Sequence, residues 1–177
     1  MELNNKNRII QYAFFTAVAT TVYFLESMAV RIMPLPFLRI GLANVVIVYL
    51  LMKREFAMAF TVNIVKTLIG GLISFTLLSP ATLLSLCGGI GSLLVMWLLL
   101  VSRIRFSILG ISIAGAVVHN IIQVLCVRWL IIPRDSVLYL LPVLMLIGIA
   151  TGLVTGIIAY ELHQKLEETT ECFKPST

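Results

Sequence analysis

The chain has 177 residues, 60% of them hydrophobic and 12% charged, with a formal net charge of +5. Soluble domains carry about 25% charged residues, so this composition excludes a water-soluble globule of this size. The basic excess is not gathered into an aromatic-rich patch, which argues against nucleic acid as a partner.

Runs of apolar residues recur along the chain, each near the ~20 residues that a helix needs to cross a hydrocarbon layer. They are uninterrupted rather than alternating, which predicts helices and not a barrel. The reading is an all-α polytopic membrane protein, a bundle of six helices in a single membrane domain over residues 1–177.

The first span, 8–28, lacks a small-residue cleavage site after it and is too long for the apolar region of a signal peptide, so it is read as retained. In "AFFTA", Ala13 and Ala17 stand one turn apart with Thr20 close to the same face. This small face suits either packing inside the bundle or docking of a partner. Glu26 lies near the far end of the span. In the following loop, "RIMPLPFLR", Pro34 and Pro36 exclude regular helix and Arg31 and Arg39 bracket apolar residues. The loop is a lid over a cavity or a connector lying in the interface.

The second span, 40–52, is short and opens with "GLAN", placing Asn44 near its start. The third, 56–78, holds Lys66 about eleven residues in, roughly 16 Å along the helix. An ionisable side chain that deep faces protein or a watery cavity. Asn63 and Gly70 share its face, and Gly70 and Gly71 are expected to leave room beside it.

The fourth span, 80–102, carries Ser85 and the thin stretch "CGGIGS". The fifth, 106–132, carries "AGAVVHNIIQ", in which His119, Asn120 and Gln123 are expected to form one polar edge near mid-depth. That edge lines a cavity or hydrogen-bonds a neighbouring helix as internal glue. The sixth, 137–160, offers mainly a glycine stripe, Gly148, Gly152 and Gly156, at a spacing of four. The polar tail 161–177 is read as the frayed end of this helix, with His163 in water. Cys87, Cys126 and Cys172 show no metal-ligand spacing and no disulfide framework.

With the N-terminus inside, eight Lys and Arg residues fall in cytoplasmic segments and four in outer ones. This places both termini in the cytoplasm of a cell-membrane protein. Polar or small residues then reach the middle or outer half from five spans, which predicts a cavity open to the outside. Its candidate ligand-binding residues are Glu26, Arg39, Asn44, Lys66, Ser85, His119, Asn120 and Gln123. Lys66 with Arg31 or Arg39 favours an anionic group from outside, and Glu26 is the expected partner of Lys66, because an unpaired buried charge is costly.

Catalysis is not expected. Magnesium-dependent diphosphate chemistry needs clustered carboxylates, and the chain has a single aspartate, Asp135. There is no P-loop, HExxH or serine elbow, and no metal or cofactor is called for.

In order along the chain, "ES", "PLPF", "GLAN", "GGL", "LSLCGGIGS" and "FSILGISIAGAVVHNIIQ" resemble the Gx transporter family, whose members also carry the label heptaprenyl diphosphate synthase component I. The resemblance covers about residues 10–155. That family is similar to the substrate-binding S-components of energy-coupling factor transporters. The resemblance implies capture of a vitamin- or isoprenoid-related small molecule, followed by docking on an energy-coupling transmembrane subunit with two ATPases. Ala13 and Ala17 match the alanine pair through which S-components meet that subunit. The family's second label implies the alternative, a noncatalytic membrane component of a prenyl diphosphate synthase assembly.

Overall fold

The computed structural model describes residues 2–32, 41–103, 106–131 and 133–172. The regular elements among them are all helical. They are α1 (Glu2–Ile32), α2 (Asn44–Met52), α3 (Phe56–Ile73), α4 (Pro80–Val101), α5 (Ile108–Leu130) and α6 (Leu141–Cys172), with a 3₁₀ segment (Asp135–Leu140) leading into α6. Five stretches are long and apolar enough to cross a membrane, and the chain is a multi-pass membrane protein.

The six helices come in the expected order, but among the described residues only five are long and apolar enough to span, and the ends differ. Helix α1 extends beyond 8–28 in both directions. Helix α3 stops at Ile73, not near 78, and residues 74–79 turn back toward α4 through Thr76 N–H to Gly71 O and Thr82 Oγ1 to Thr76 O. The polar tail is not frayed after Tyr160, since α6 runs on to Cys172. His163 is mostly covered rather than in water: its ring meets that of Tyr49 at 6.0 Å, and Nε2 lies 3.4 Å from Glu167. The last helix therefore ends later than hydropathy alone indicates.

Helix α2 departs furthest from the expected 40–52 span. It has nine residues, about 13.5 Å at 1.5 Å per residue, under half the thickness of a hydrocarbon core. Val45 through Leu51 are all buried. A helix that is apolar all round belongs inside a protein rather than on its surface, and α2 touches α1, α3, α4 and α6. Its start is set by a turn in which Asn44 N–H bonds Gly41 O at 2.8 Å. Gly41 has φ +77°, a left-handed conformation that glycine adopts without steric cost.

The bundle has two ends. At one, Arg8 pairs with Glu55 at 3.2 Å and Lys53 with Glu167 at 3.1 Å, tying α1, the α2–α3 turn and the extension of α6 together. At the other, Arg128 at the end of α5 meets Asp135 at 2.6 Å. Between them, α5 is sealed to its neighbours by glycines. A methyl placed on Gly152 would lie 2.7 Å from Ile113 Cα, and one on Gly115 would lie 2.5 Å from the Met96 sulfur. Ser112 Oγ donates to Gly152 O at 2.8 Å across the α5–α6 seam.

Candidate functional site: a polar cavity at membrane depth

The residue types scattered singly along six apolar helices meet around one cavity of about 50 Å³. Helix α1 supplies Tyr23 and Glu26, one turn apart. The turn into α2 supplies Gly41, Ala43 and Asn44. Helix α3 supplies Asn63, Lys66 and Thr67, and α4 supplies Ser85, Gly89, Ser92 and Met96. Helix α5 presents Ser112, Ala116, His119 and Asn120, and α6 presents Thr151 and Thr155.

The two charged residues are deeply placed. Lys66 is 3% exposed and Glu26 9%. Lys66 Nζ donates to Asn44 Oδ1 at 2.7 Å and lies 3.5 Å from Ala43 O. The Glu26 carboxylate accepts from the backbone N–H of Gly41. Both charges thus hold the same turn, from opposite ends, in surroundings where an unsolvated charge without hydrogen bonds would be costly.

Around them polar side chains alternate with apolar ones in a close-fitting wall. Asn63 is 2% exposed, its amide lies against Gly89, and its Nδ2 has no hydrogen-bond partner among the described residues. The His119 ring lies over Gly88, where an added methyl would be 3.0 Å from Cε1. The space expected beside Lys66 at Gly70 is filled: a methyl there would sit 2.2 Å from the Tyr23 ring, whose hydroxyl is 3.5 Å from Ser85 Oγ.

Of the residues singled out from sequence, Glu26, Asn44, Lys66, Ser85, His119 and Asn120 surround this cavity. Gln123 is half-buried and is not in its wall, so His119, Asn120 and Gln123 do not form a single lining edge. Asn120 has a second task, since its Nδ2 donates to Leu144 O at 2.7 Å and glues α5 to α6. Arg39 and the Pro34–Pro36 segment, expected as a lid or an interfacial connector, lie outside the described residues, as does the side chain of Arg31.

Sequence reasoning passed over Tyr23, Thr67, Ser112, Thr151 and Thr155. Helix α6 does more than pack: Thr151 and Thr155 line the cavity beside the glycine stripe. Their spacing of four in "TGLVT" was the available signal, hidden because lone hydroxyls are common in membrane helices.

A second, shallower feature lies on the outside of α1 and α3. Tyr12, Ala13, Thr16, Ala17 and Thr20 of α1, with Thr61 and Ile69 of α3, line an open groove of about 520 Å³. Ala13 and Ala17 are exposed in it. Thr21 and Thr61 bond back to Ala17 O and Ala57 O within their own helices, whereas the buried Thr20 hydroxyl has no such bond.

The fold and this interior define a class: a small helical membrane protein built around a polar, charge-bearing cavity. The family model described as heptaprenyl diphosphate synthase component I matches residues 15–162, and the chain belongs to that family. No curated protein and no solved structure matches it.

Proposed function

We propose that this chain is the ligand-capturing subunit of a small-molecule uptake system, resembling the S-components of energy-coupling factor transporters. The observation that carries this reading is the cavity, walled by six helices, with Lys66, Glu26 and His119 at membrane depth. Charged and amide side chains there are expensive to keep and mark ligand or ion pathways. On this reading Glu26, Asn44, Lys66, Ser85, His119 and Asn120 bind the ligand. The open groove at Ala13 and Ala17 suits a partner helix in the membrane, because small residues let backbones approach. ATP hydrolysis belongs to partner proteins. The end bearing Lys53, Arg54 and both termini faces the cytoplasm by its basic charge.

The family description favours a second reading, a noncatalytic membrane component that holds or recruits a prenyl diphosphate synthase. On that reading the cavity takes a polar head, and a soluble enzyme performs the chemistry. Lys66 and Glu26, buried and facing one cavity, are the observation that supports the first reading.

Mild affinity purification from the native membrane separates the two. Recovery of a transmembrane coupling subunit with its ATPases, lost on Ala13→Trp, is the expected result. Recovery of a soluble prenyl synthase, unaffected by Ala13→Trp, would overturn it in favour of the second reading.

A further inference from the structure

The cavity carries one buried cation and one buried anion, and their placement defines the charge of what it takes. Among its described lining residues Lys66 and Glu26 are the oppositely charged pair. A singly charged anion drawn to Lys66 would meet the Glu26 carboxylate across the same turn, in a setting where a buried charge without a counter-charge is heavily penalised. We infer that the site takes a small zwitterion, its anionic group on the Lys66 side and its cationic group on Glu26, a class narrower than the anion expected from sequence. This inference rests on the ligand-capture reading.

Three observations support the fit. The first is reach. Lys66 and Glu26 contact opposite ends of one turn, Ala43–Asn44 and Gly41 respectively. The ends of such a turn lie within about 7 Å, so one small molecule can span both charges with hydrogen bonds of about 2.8 Å at either end. The second is the wall chemistry on each side. Asn63, one turn from Lys66, offers the buried and unpartnered Nδ2 donor to an anionic group. On the other side Glu26 supplies the acceptor for an ammonium. The third is size: at roughly 10–15 Å³ per water, a cavity of about 50 Å³ holds about three to five waters, the space of a small amino acid or of a zwitterionic head.

The same contacts give binding a structural consequence. The ammonium and the carboxylate now fasten the Gly41–Asn44 turn at the start of α2. A zwitterion engages both at once and competes with both fastenings, so occupancy loosens this turn, which joins α2 to the loop before it.

A free metabolite and the head of a zwitterionic phospholipid share this chemistry. The test uses the full chain in nanodiscs and follows thermal unfolding with three probe sets: free α-amino acids and glycine betaine, the matching carboxylates without nitrogen, and the matching amines. In phosphatidylglycerol discs, a shift of about 5 °C or more with a free zwitterion, and none with the single-charge analogues, supports the inference with a soluble ligand. The same shift seen only on adding phosphatidylethanolamine supports it with a lipid head. In either case Lys66→Gln and Glu26→Gln must each weaken the response at least tenfold in probe concentration. Stabilisation by carboxylates that survives Glu26→Gln would overturn the zwitterion inference and leave ligand capture standing. No shift with any probe in either lipid would overturn both.

Discussion

The two halves of the bundle are built on different principles. In α4, α5 and α6 helices meet through glycines so closely that an added methyl at Gly152 or Gly148 would run into the backbone of α5. Their cavity wall carries no formal charge beyond what His119 can acquire. In α1, α2 and α3 the contacts run through side chains: Tyr23 over Gly70, Lys66 on Asn44, Glu26 on Gly41. Both charges of the site lie here, and so does the open groove. The first half is a rigid wall fixed by shape. The second is a face held by hydrogen bonds, which can be exchanged for others.

That contrast can be broken at its extremes. Gly152→Val should be the most damaging single change, because the new side chain meets backbone on α5 that no rotamer change can clear. Overpacking of this kind costs about 1–3 kcal/mol or more, and loss of a monodisperse peak in size-exclusion chromatography is expected. Asn44→Ala leaves Lys66 without its 2.7 Å partner. A hydrogen bond to a charged group contributes about 1.5–3 kcal/mol, so a clear drop in thermal stability is expected, with proteolysis rising at the Gly41–Asn44 turn. If cleavage rises instead throughout α4–α6, the division into halves is wrong.

Ser112→Ala removes the bond to Gly152 O but leaves the glycine seam intact. About 1 kcal/mol is the expected loss, and helical content by circular dichroism should not change. Arg8→Ala, at a half-exposed surface pair with Glu55, should change stability by less than about 1 kcal/mol, within scatter in moderate salt.

Unlike α2, too short to span, the five long helices were legible because hydrocarbon thickness imposes a length on apolar runs. Their ends were not, since a turn such as 74–79 is decided by Thr82 and Thr76 bonding across it, which hydropathy does not see. In the site, Lys66 and Glu26 announced themselves by charge at depth. The neutral partners did not: Thr151 and Thr155 read as ordinary helix residues until α6 is rotated against α5. Gln123 shows the reverse error, a polar residue one turn further along α5 from Asn120 that is not in the wall. Facing is set by packing between helices, and a single sequence specifies it only loosely.

The shortness of α2 has a consequence for how the protein is made. With seven consecutive buried residues and about 13.5 Å of length, it has neither the span to enter a bilayer alone nor a surface meant for lipid. Its place exists only after α1, α3, α4 and α6 have formed around it. The expected consequence in biosynthesis is that α2 is drawn in late, after the helices around it. A ribosome-released fragment ending at residue 73 should leave the 41–55 segment reachable by a water-soluble labelling reagent, and completion of the chain should shield it.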